Sequence, residues 1–582
     1  MQPPRRPNLV FVFPDQLRAR SLGYAGDAQA ITPNIDQFAA QSVNFANAVA
    51  SAPVCTAYRA SLFTGKHTTS HGMVINELRM HPNQRCFGHM LTEAGYRTGY
   101  IGKWHLYANE LGNHYDPKNS FVPRGPHRLG FDGEWKAYNF HHENYDTYYH
   151  SESPEKIFYG AGVYEPDAQT DLAIDFLNRA AAQIEKRAPE FVEVLVQEAG
   201  FTRRDASGEI QRCAVTFRLS AEEARNFCGD VIPIEGASGQ KGRLGFTLRA
   251  PLGTVCAITP FNAPLNTVAH KVGPALAAGN AVILKPSLHT PMSASLMAEC
   301  LIDAGLPPGL LSVLHGDGDV AQWLLDEPLV AFYAFTGSTE VGRIIQNRAG
   351  LRRTQMELGS IAHCILCDDG DLDAALPKVI NASYRKAGQV CTSIQVLLVH
   401  RARVEETERR LTDLVSQLPF GDPSDDRTVV GPVISEAAAQ RIESWVEEAV
   451  AKGARRLVGG GRRGAVVAPV LLADVDPATP LGCQEVFGPV LCIAPFDSIE
   501  EAIARVNAGP YGLATGIFTK RIDVALRAAR ELQVGGVHIN ETPSSRVDVM
   551  PYGGSKDSGF GREGPHYAIR EMSEERMVTI LP

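Results

Sequence analysis

Cysteine is scarce, eleven in 582 residues, which is too sparse for the disulfide frame of a small secreted scaffold. Several, Cys256 and Cys492 among them, fall in apolar strand-like runs, so a reducing compartment is expected, by default the cytoplasm. Basic excess is absent too. The chain has 56 Lys plus Arg against 65 Asp plus Glu, a net charge of −9, and no long basic run, which argues against a nucleic-acid or anionic-membrane partner held by the general field. Long apolar runs are missing as well. The longest uncharged stretch, Ala250 to Ala269, carries three prolines and two asparagines, which a bilayer-spanning helix would not hold without cause. Met1 to Arg6 is basic, but the apolar run that follows, Asn8 to Phe13, is too short for a signal peptide and leads to no small-residue cleavage site. Neither a secretion signal nor a membrane span is expected.

At a prior of roughly 150 residues per domain, the length corresponds to about four domains. The chain changes character near residue 177. The first 176 residues hold 10 of the 17 histidines and 12 of the 17 tyrosines; downstream, apolar runs alternate with amphipathic segments in an α/β rhythm. Asn178 to Gly200 predicts a helix that Pro189 kinks or divides and Gly200 caps. No fixed-period repeat is present. No Pro/Gly/Ser-rich linker separates the two parts, so the junction is abrupt.

In the larger part, strands predicted at Gly253–Thr259, Ala281–Leu284, Leu311–Leu314 and Ala331–Phe335 alternate with helices, the pattern of a doubly wound parallel sheet. After the last comes Thr336-Gly-Ser-Thr-Glu-Val-Gly342, a glycine-rich turn opening a helix. Its free N–H groups and dipole suit a pyrophosphate; a helix cap with a close-packing glycine is the other reading. Lys285, in Ile283-Leu-Lys-Pro-Ser287, stands at a strand end within reach of a cofactor ribose. Cys391, in Lys386-Ala-Gly-Gln-Val-Cys-Thr392, has small neighbours that admit a substrate and N–H groups for an oxyanion, although a buried apolar cysteine has the same local sequence. Glu357, at a strand end in Gln355-Met-Glu-Leu-Gly359, is placed to act as a base, or is simply solvated. Cys364-Ile-Leu-Cys367 has no second pair beside it, so core cysteines rather than metal ligands are expected.

Taken together, these segments resemble the NAD(P)-dependent aldehyde dehydrogenase superfamily from about 178 to 582. The motifs are Thr259-Pro-Phe-Asn-Ala-Pro264, Ile283-Leu-Lys-Pro286, Phe335-Thr-Gly-Ser-Thr-Glu-Val-Gly342, Met356-Glu-Leu-Gly359, Gly388-Gln-Val-Cys391, Gln484-Glu-Val-Phe-Gly-Pro489, Asn507 with Tyr511-Gly-Leu513, and Pro551-Tyr-Gly-Gly-Ser-Lys-Asp-Ser-Gly559. The resemblance implies that Cys391 attacks an aldehyde to give a thiohemiacetal and then a thioester. It implies that Asn262 and the Cys391 N–H hold the oxyanion, and that Glu357, 34 positions from the cysteine, activates the hydrolytic water. Lys285 and Glu485 are implied as ribose contacts, Gly337, Ser338 and Gly342 as the phosphate turn, and Phe487 as packing at the nicotinamide. The cofactor is NAD or NADP: Leu288 stands where many NAD-preferring members carry a glutamate. Ser360 and His363 depart from the family's usual glycine and proline. Phe261 to Leu265 and Asn540 to Tyr552 resemble the branch acting on short hydroxy, phosphono or sulfo aldehydes, with Arg546 either holding an anionic tail, pairing with Asp548 or bridging subunits. A dimer or tetramer is implied, with Met577–Leu581 contributing to pairing.

The first part opens with Pro7-Asn-Leu-Val-Phe-Val-Phe-Pro-Asp-Gln16, read as a buried strand that delivers Asp15 as a metal-binding carboxylate. With Pro53-Val-Cys-Thr-Ala-Tyr-Arg-Ala-Ser-Leu-Phe-Thr-Gly65 and Gly95-Tyr-Arg-Thr-Gly-Tyr-Ile-Gly-Lys-Trp-His-Leu106, it resembles the first portion of the type I sulfatases, which have an alkaline-phosphatase-like fold. There Cys55 is implied to become formylglycine, with Arg59, Lys103 and His105 around it and a divalent metal such as calcium. Asp15 has only Gln16 beside it and no later ligand pair follows, so an incomplete site is expected. The expected organisation is a partial sulfatase-like α/β segment (1–176), a doubly wound NAD(P)-binding domain without its usual N-terminal strands (177–358), an α/β catalytic domain (359–545) and a C-terminal return used in oligomerisation (546–582). The alternatives to a dehydrogenase are a sulfuric ester hydrolase and an inactive fusion remnant made unstable by the lost edge strands.

Overall fold

The structure, a computed structural model, describes residues 54–96, 98–108, 116–139, 145–159, 176–306 and 309–581, with isolated positions between 11 and 52 and at 161. It divides into two compact units, Met1–Ala173 and Ile174–Pro582. In the first, the helix Cys55–Thr64 and the parallel strands Tyr100–Lys103 and Trp135–Tyr138 enclose an aromatic core of Phe63, Trp104, Phe131 and Trp135. The two tryptophan rings lie edge to face, 5.0 Å apart, which accounts structurally for part of the aromatic enrichment. The strand expected over 7–16 lies outside the described residues apart from Phe11 and Phe13, and Asp15 lies outside them with it.

The second unit begins with two helices, Phe176–Lys186 and Ala188–Ala199, rather than one. Pro189 sits in the first turn of the second helix, where its missing N–H leaves no helical bond unmade, and Gly200 closes it at φ 67°. The cofactor-type sheet runs Gly559–Phe560, Arg353–Glu357, Val330–Thr336, Thr254–Ile258, Ala281–Lys285, Leu311–Val313. All pairings in it are parallel except the short first strand. Because strand order reverses between Thr254–Ile258 and Val330–Thr336, the connections leaving their carboxyl ends go to opposite faces of the sheet, which opens a crevice there, the usual seat of a ligand in such sheets. The helix Asn266–Ala277 beneath is buried on every side and sits in the largest apolar cluster.

A seven-stranded sheet follows, with Ile394–His400 at its centre, flanked by Val490–Phe496 and Ala362–Leu366. Cys364, on the strand Ala362–Leu366, and Cys367, one residue beyond its end, join different apolar clusters. Both thiols are pushed up by burial. The last strand, Ser573–Ile580, pairs antiparallel with Leu244–Pro251, which pairs in turn with Val231–Ile232. Among the described residues no helix is long and apolar enough to cross a membrane.

Candidate active site

The approach to Cys391 is a backbone turn that few residues can make. Lys386, Ala387 and Gly388 are all left-handed, at φ 50°, 53° and 71°. A Cβ on Gly388 would fall 2.0 Å from the Gly488 carbonyl oxygen, so glycine is required there. The two strained non-glycine residues cost about 1–3 kcal/mol each and are held by a buried ion pair, Lys386 Nζ to Glu209 Oε2 at 2.8 Å. Lys386 also donates to the Asn262 carbonyl at 3.0 Å, while Glu209 Oε1 accepts the Asn266 N–H at 2.8 Å. One pair thus ties the Asn262 loop to the cysteine turn. Removing the carboxylate with Glu209→Ala strands a buried ammonium, and is expected to destabilise the fold by about 3–5 kcal/mol; a urea-unfolding midpoint within error of the parent's would contradict this.

Cys391 Sγ lies 2.8 Å from the Tyr552 hydroxyl. Burial is the main influence on its thiol, pushing it up to about 11; Glu485 and Glu357 act in the same direction, and the Tyr552 hydrogen bond and Arg546 oppose. Both carboxylates are therefore in electrostatic range of the sulfur. Glu357 is buried, and neither of its oxygens has a hydrogen-bond partner among the described residues. Burial, then the Glu563 charge, hold its carboxyl well above the usual range, against Lys271, Arg546 and Arg562. Glu563 goes the other way, since the Lys271 and Arg546 charges outweigh its burial. It meets Lys271 Nζ and Arg546 Nη2 at 2.9 Å each.

At the crevice, the hydroxyls of Thr259 and Thr336, just beyond and at the ends of these two neighbouring strands, are buried without a partner among the described residues. Ser338 caps the helix Thr339–Ala349 through Val341 N–H, Gly337 N–H is taken by the Glu357 carbonyl, and Gly342 packs on Leu358. Lys285 Nζ reaches the Pro286 carbonyl at 3.3 Å, and burial lowers its pKa. Glu485 accepts the Ser360 N–H at 3.0 Å and is pushed up to about 7 by burial, with Ser360 and Arg441 opposing. Phe487, itself at φ 46°, sets its ring edge-on to Phe261 at 5.8 Å. Two orphaned hydroxyls, a helix N-terminus, a buried lysine and a half-buried carboxyl group form a donor and acceptor set that suits a dinucleotide.

Arg546 differs from expectation. Its guanidinium pairs with Glu563 and lies 3.8 Å from the centre of the Tyr552 ring. Asp548 instead takes Arg212 at 2.7 Å and His270 at 2.9 Å. A second cation, the half-buried Arg385, also interacts with Cys391; its charge is disfavoured first by burial, with Asp205 and Cys391 favouring it and Arg212 opposing. Sequence reading also assigned nothing to Tyr552, Lys271 or Glu209. A signal for one existed: His270-Lys271 interrupts an otherwise apolar helical run, where a charge needs a buried partner.

In the first unit, Cys55 opens its helix and Arg59 follows one turn on. The Arg59 guanidinium is buried and donates to the Lys103 carbonyl and to the Tyr100 hydroxyl. Thr56 Oγ1 donates to the His105 carbonyl at 3.0 Å, and His105 is buried at φ 54°. The four residues expected together are thus joined through their neighbours. Among the described residues, no group of three or more His, Cys, Asp or Glu side chains is arranged to hold a metal ion.

A doubly wound sheet with a half-buried thiol, the buried Glu357 and the half-buried Glu485 is the framework of a nicotinamide-dependent α/β oxidoreductase. Residues 173–578 match the aldehyde dehydrogenase family model and 7–197 the sulfatase model. A 3-sulfolactaldehyde dehydrogenase of Priestia aryabhattai is 45% identical over 407 residues, 70% of this chain and 85% of the relative. A sulfoacetaldehyde dehydrogenase of Neptuniibacter caesariensis is 37% identical over 404 residues, 69% and 89%. Among solved structures, the NADP-dependent glyceraldehyde-3-phosphate dehydrogenase of Bacillus halodurans C-125, complexed with NADP, superposes with a TM-score of 0.69 at 34% identity, covering 70% of this chain and 86% of that one. The chain belongs to the aldehyde dehydrogenase family, and its reaction is the NAD(P)-dependent oxidation of an aldehyde, with a sulfatase-like segment ahead of it.

Proposed function

We propose that the substrate is a short aldehyde with an anionic or hydroxylated tail, of the sulfolactaldehyde type, oxidised to its carboxylate through Cys391. The observation that carries this is the Tyr552 hydroxyl 2.8 Å from the Cys391 sulfur, on which Glu357, Glu485 and the Arg546 and Arg385 cations also act electrostatically. The sulfur adds to the carbonyl carbon, and the Asn262 amide with the Cys391 N–H receives the charge that develops on oxygen, a stabilisation larger in the transition state than in the ground state. The bound nicotinamide supplies the hydride acceptor. Glu357 then takes a proton from the water that cleaves the Cys391 thioester. Lys285 and Glu485 hold a ribose and the Ser338–Gly342 turn the pyrophosphate. Leu288 is exposed and offers no carboxylate to repel a 2′-phosphate, so both NAD and NADP are accepted.

Arg385 receives the anionic tail, since Arg546 is committed to Glu563. Reduction of NAD and NADP by 3-sulfolactaldehyde, sulfoacetaldehyde and neutral propanal tests the reading. Arg385→Gln is expected to raise KM for the two sulfo aldehydes by about 10–100-fold, the worth of a hydrogen bond to a charged group, and to leave propanal within about twofold. Equal loss on all three would count against it. The edge strand Ser573–Ile580 supports self-association as a dimer or tetramer, and the free cysteines suit the cytoplasm. A sulfuric ester hydrolase has less support, because the Arg59 guanidinium is already occupied. Aryl sulfate hydrolysis that depends on Cys55 and added calcium would restore it.

A further inference from the structure

The proposed chemistry leaves one contact of the Cys391 sulfur unused. The Tyr552 hydroxyl is 2.8 Å from Sγ, and Tyr552 is held both through its backbone and over its ring. Its backbone exchanges hydrogen bonds with that of Glu563, the Tyr552 N–H reaching the Glu563 carbonyl at 3.1 Å and the Glu563 N–H returning at 2.7 Å. The Arg546 guanidinium covers its ring 3.8 Å from the centre. Arg546 is itself fixed by Glu563 Oε2, whose partner oxygen takes Lys271 Nζ. A cation over the face draws electron density from the ring, which makes the phenol O–H a better donor and a poorer acceptor. Among the described residues, Glu485 and Glu357 also act on the sulfur, and Arg385 interacts with it as well. Of these, the two carboxylates oppose a thiolate.

We propose that Tyr552 is a catalytic residue whose hydroxyl donates to the Cys391 sulfur and holds it as a thiolate aimed at the carbonyl carbon, the Arg546–Glu563 pair fixing the phenol for that task. This rests on Cys391 being the nucleophile. Before attack the thiol proton leaves to water. A sulfur lone pair then forms the C–S bond while the carbonyl π pair moves to oxygen. Tyr552 keeps its own proton throughout. In the resting site, where burial raises thiol and phenol alike, both stay protonated.

The test is alkylation of the purified enzyme by iodoacetamide across pH 6–10, with the labelled residue identified by mass spectrometry. In Tyr552→Phe, loss of a hydrogen bond to a charged acceptor is expected to move the ionisation of Cys391 up by about one to two pH units. The thiolate left is intrinsically more nucleophilic by about half that on a logarithmic scale, so the rate at pH 7.5 falls about 3–10-fold. Replacing Tyr552 by 3-fluorotyrosine, which strengthens the donor and keeps the ring, is expected to move the profile the opposite way and serves if the phenylalanine variant folds poorly. A profile that superimposes on the parent's, or faster alkylation at pH 7.5 in Tyr552→Phe, overturns the proposal. Cys391→Ser run alongside separates the two readings. If it still oxidises aldehyde, the nucleophile assignment fails and this inference with it; if it is dead while Tyr552→Phe titrates like the parent, only the role of Tyr552 falls.

Discussion

Cys391→Ser is expected to lower aldehyde oxidation by about 10⁴-fold or more, the scale on which removing a nucleophile that works as a unit with its neighbours acts. A serine hydroxyl in this pocket meets the same burial that pushes the thiol up to about 11, from a far higher starting point. Neither Tyr552 nor a protonated Glu357 can take its proton. Serine also fills nearly the same space and stays within reach of the Tyr552 hydroxyl, so cofactor binding and the urea midpoint should change little. Stopped-flow absorbance of the reduced nicotinamide checks this. A first turnover within tenfold of the parent's would show that the chemistry does not pass through the sulfur. Because the thiolate fraction grows as pH rises toward the thiol's raised value, the parent's attack step should accelerate from pH 7 to 10.

The sheet was largely legible because its strands are buried on both faces and read as continuous apolar runs. Gly253–Thr259 is observed as Thr254–Ile258, and Ala331–Phe335 as Val330–Thr336. Pro189 marked a helix boundary for a local reason, since ring and missing N–H act on the residues beside them. The partners of charges were not legible, because they are fixed by the fold at long range. Arg546 was weighed against Asp548, two residues away, yet it takes Glu563, while Asp548 is claimed by Arg212 and His270 from distant helices. Tyr552 lay within a recognised motif, but its contact with a sulfur 161 positions away has no local signature. Glu357 and Glu485, each in its own recognised motif, both act electrostatically on Cys391. Nothing in those motifs, however, says that Glu357 carries the proton and Glu563 the charge. That division follows from which carboxylate faces Lys271 and Arg546.

The same division sets the behaviour of Glu357→Gln. A buried carboxyl with no hydrogen-bond partner among the described residues, beside an already charged Glu563, is neutral in the resting enzyme and becomes a base only as pH rises through its raised value. Formation of the thioester does not need it; hydrolysis does. The variant is therefore expected to release about one equivalent of reduced cofactor per site at the parent's rate and then to turn over about 10²–10⁴-fold more slowly, the span of general-base effects. The acyl group should be found on Cys391 by mass spectrometry. Stability supplies an independent sign. For a carboxyl whose pKa is raised in the folded state, the stabilisation is complete below the unfolded value and is lost as pH rises through the folded one. Glutamine, neutral at every pH, escapes that loss, so Glu357→Gln should match the parent near pH 5 and unfold at higher urea than the parent at alkaline pH. A variant that loses the burst along with turnover would move Glu357 from hydrolysis to the first step. Parallel urea midpoints at pH 5 and pH 9 would mean that the carboxyl is not held neutral by its burial.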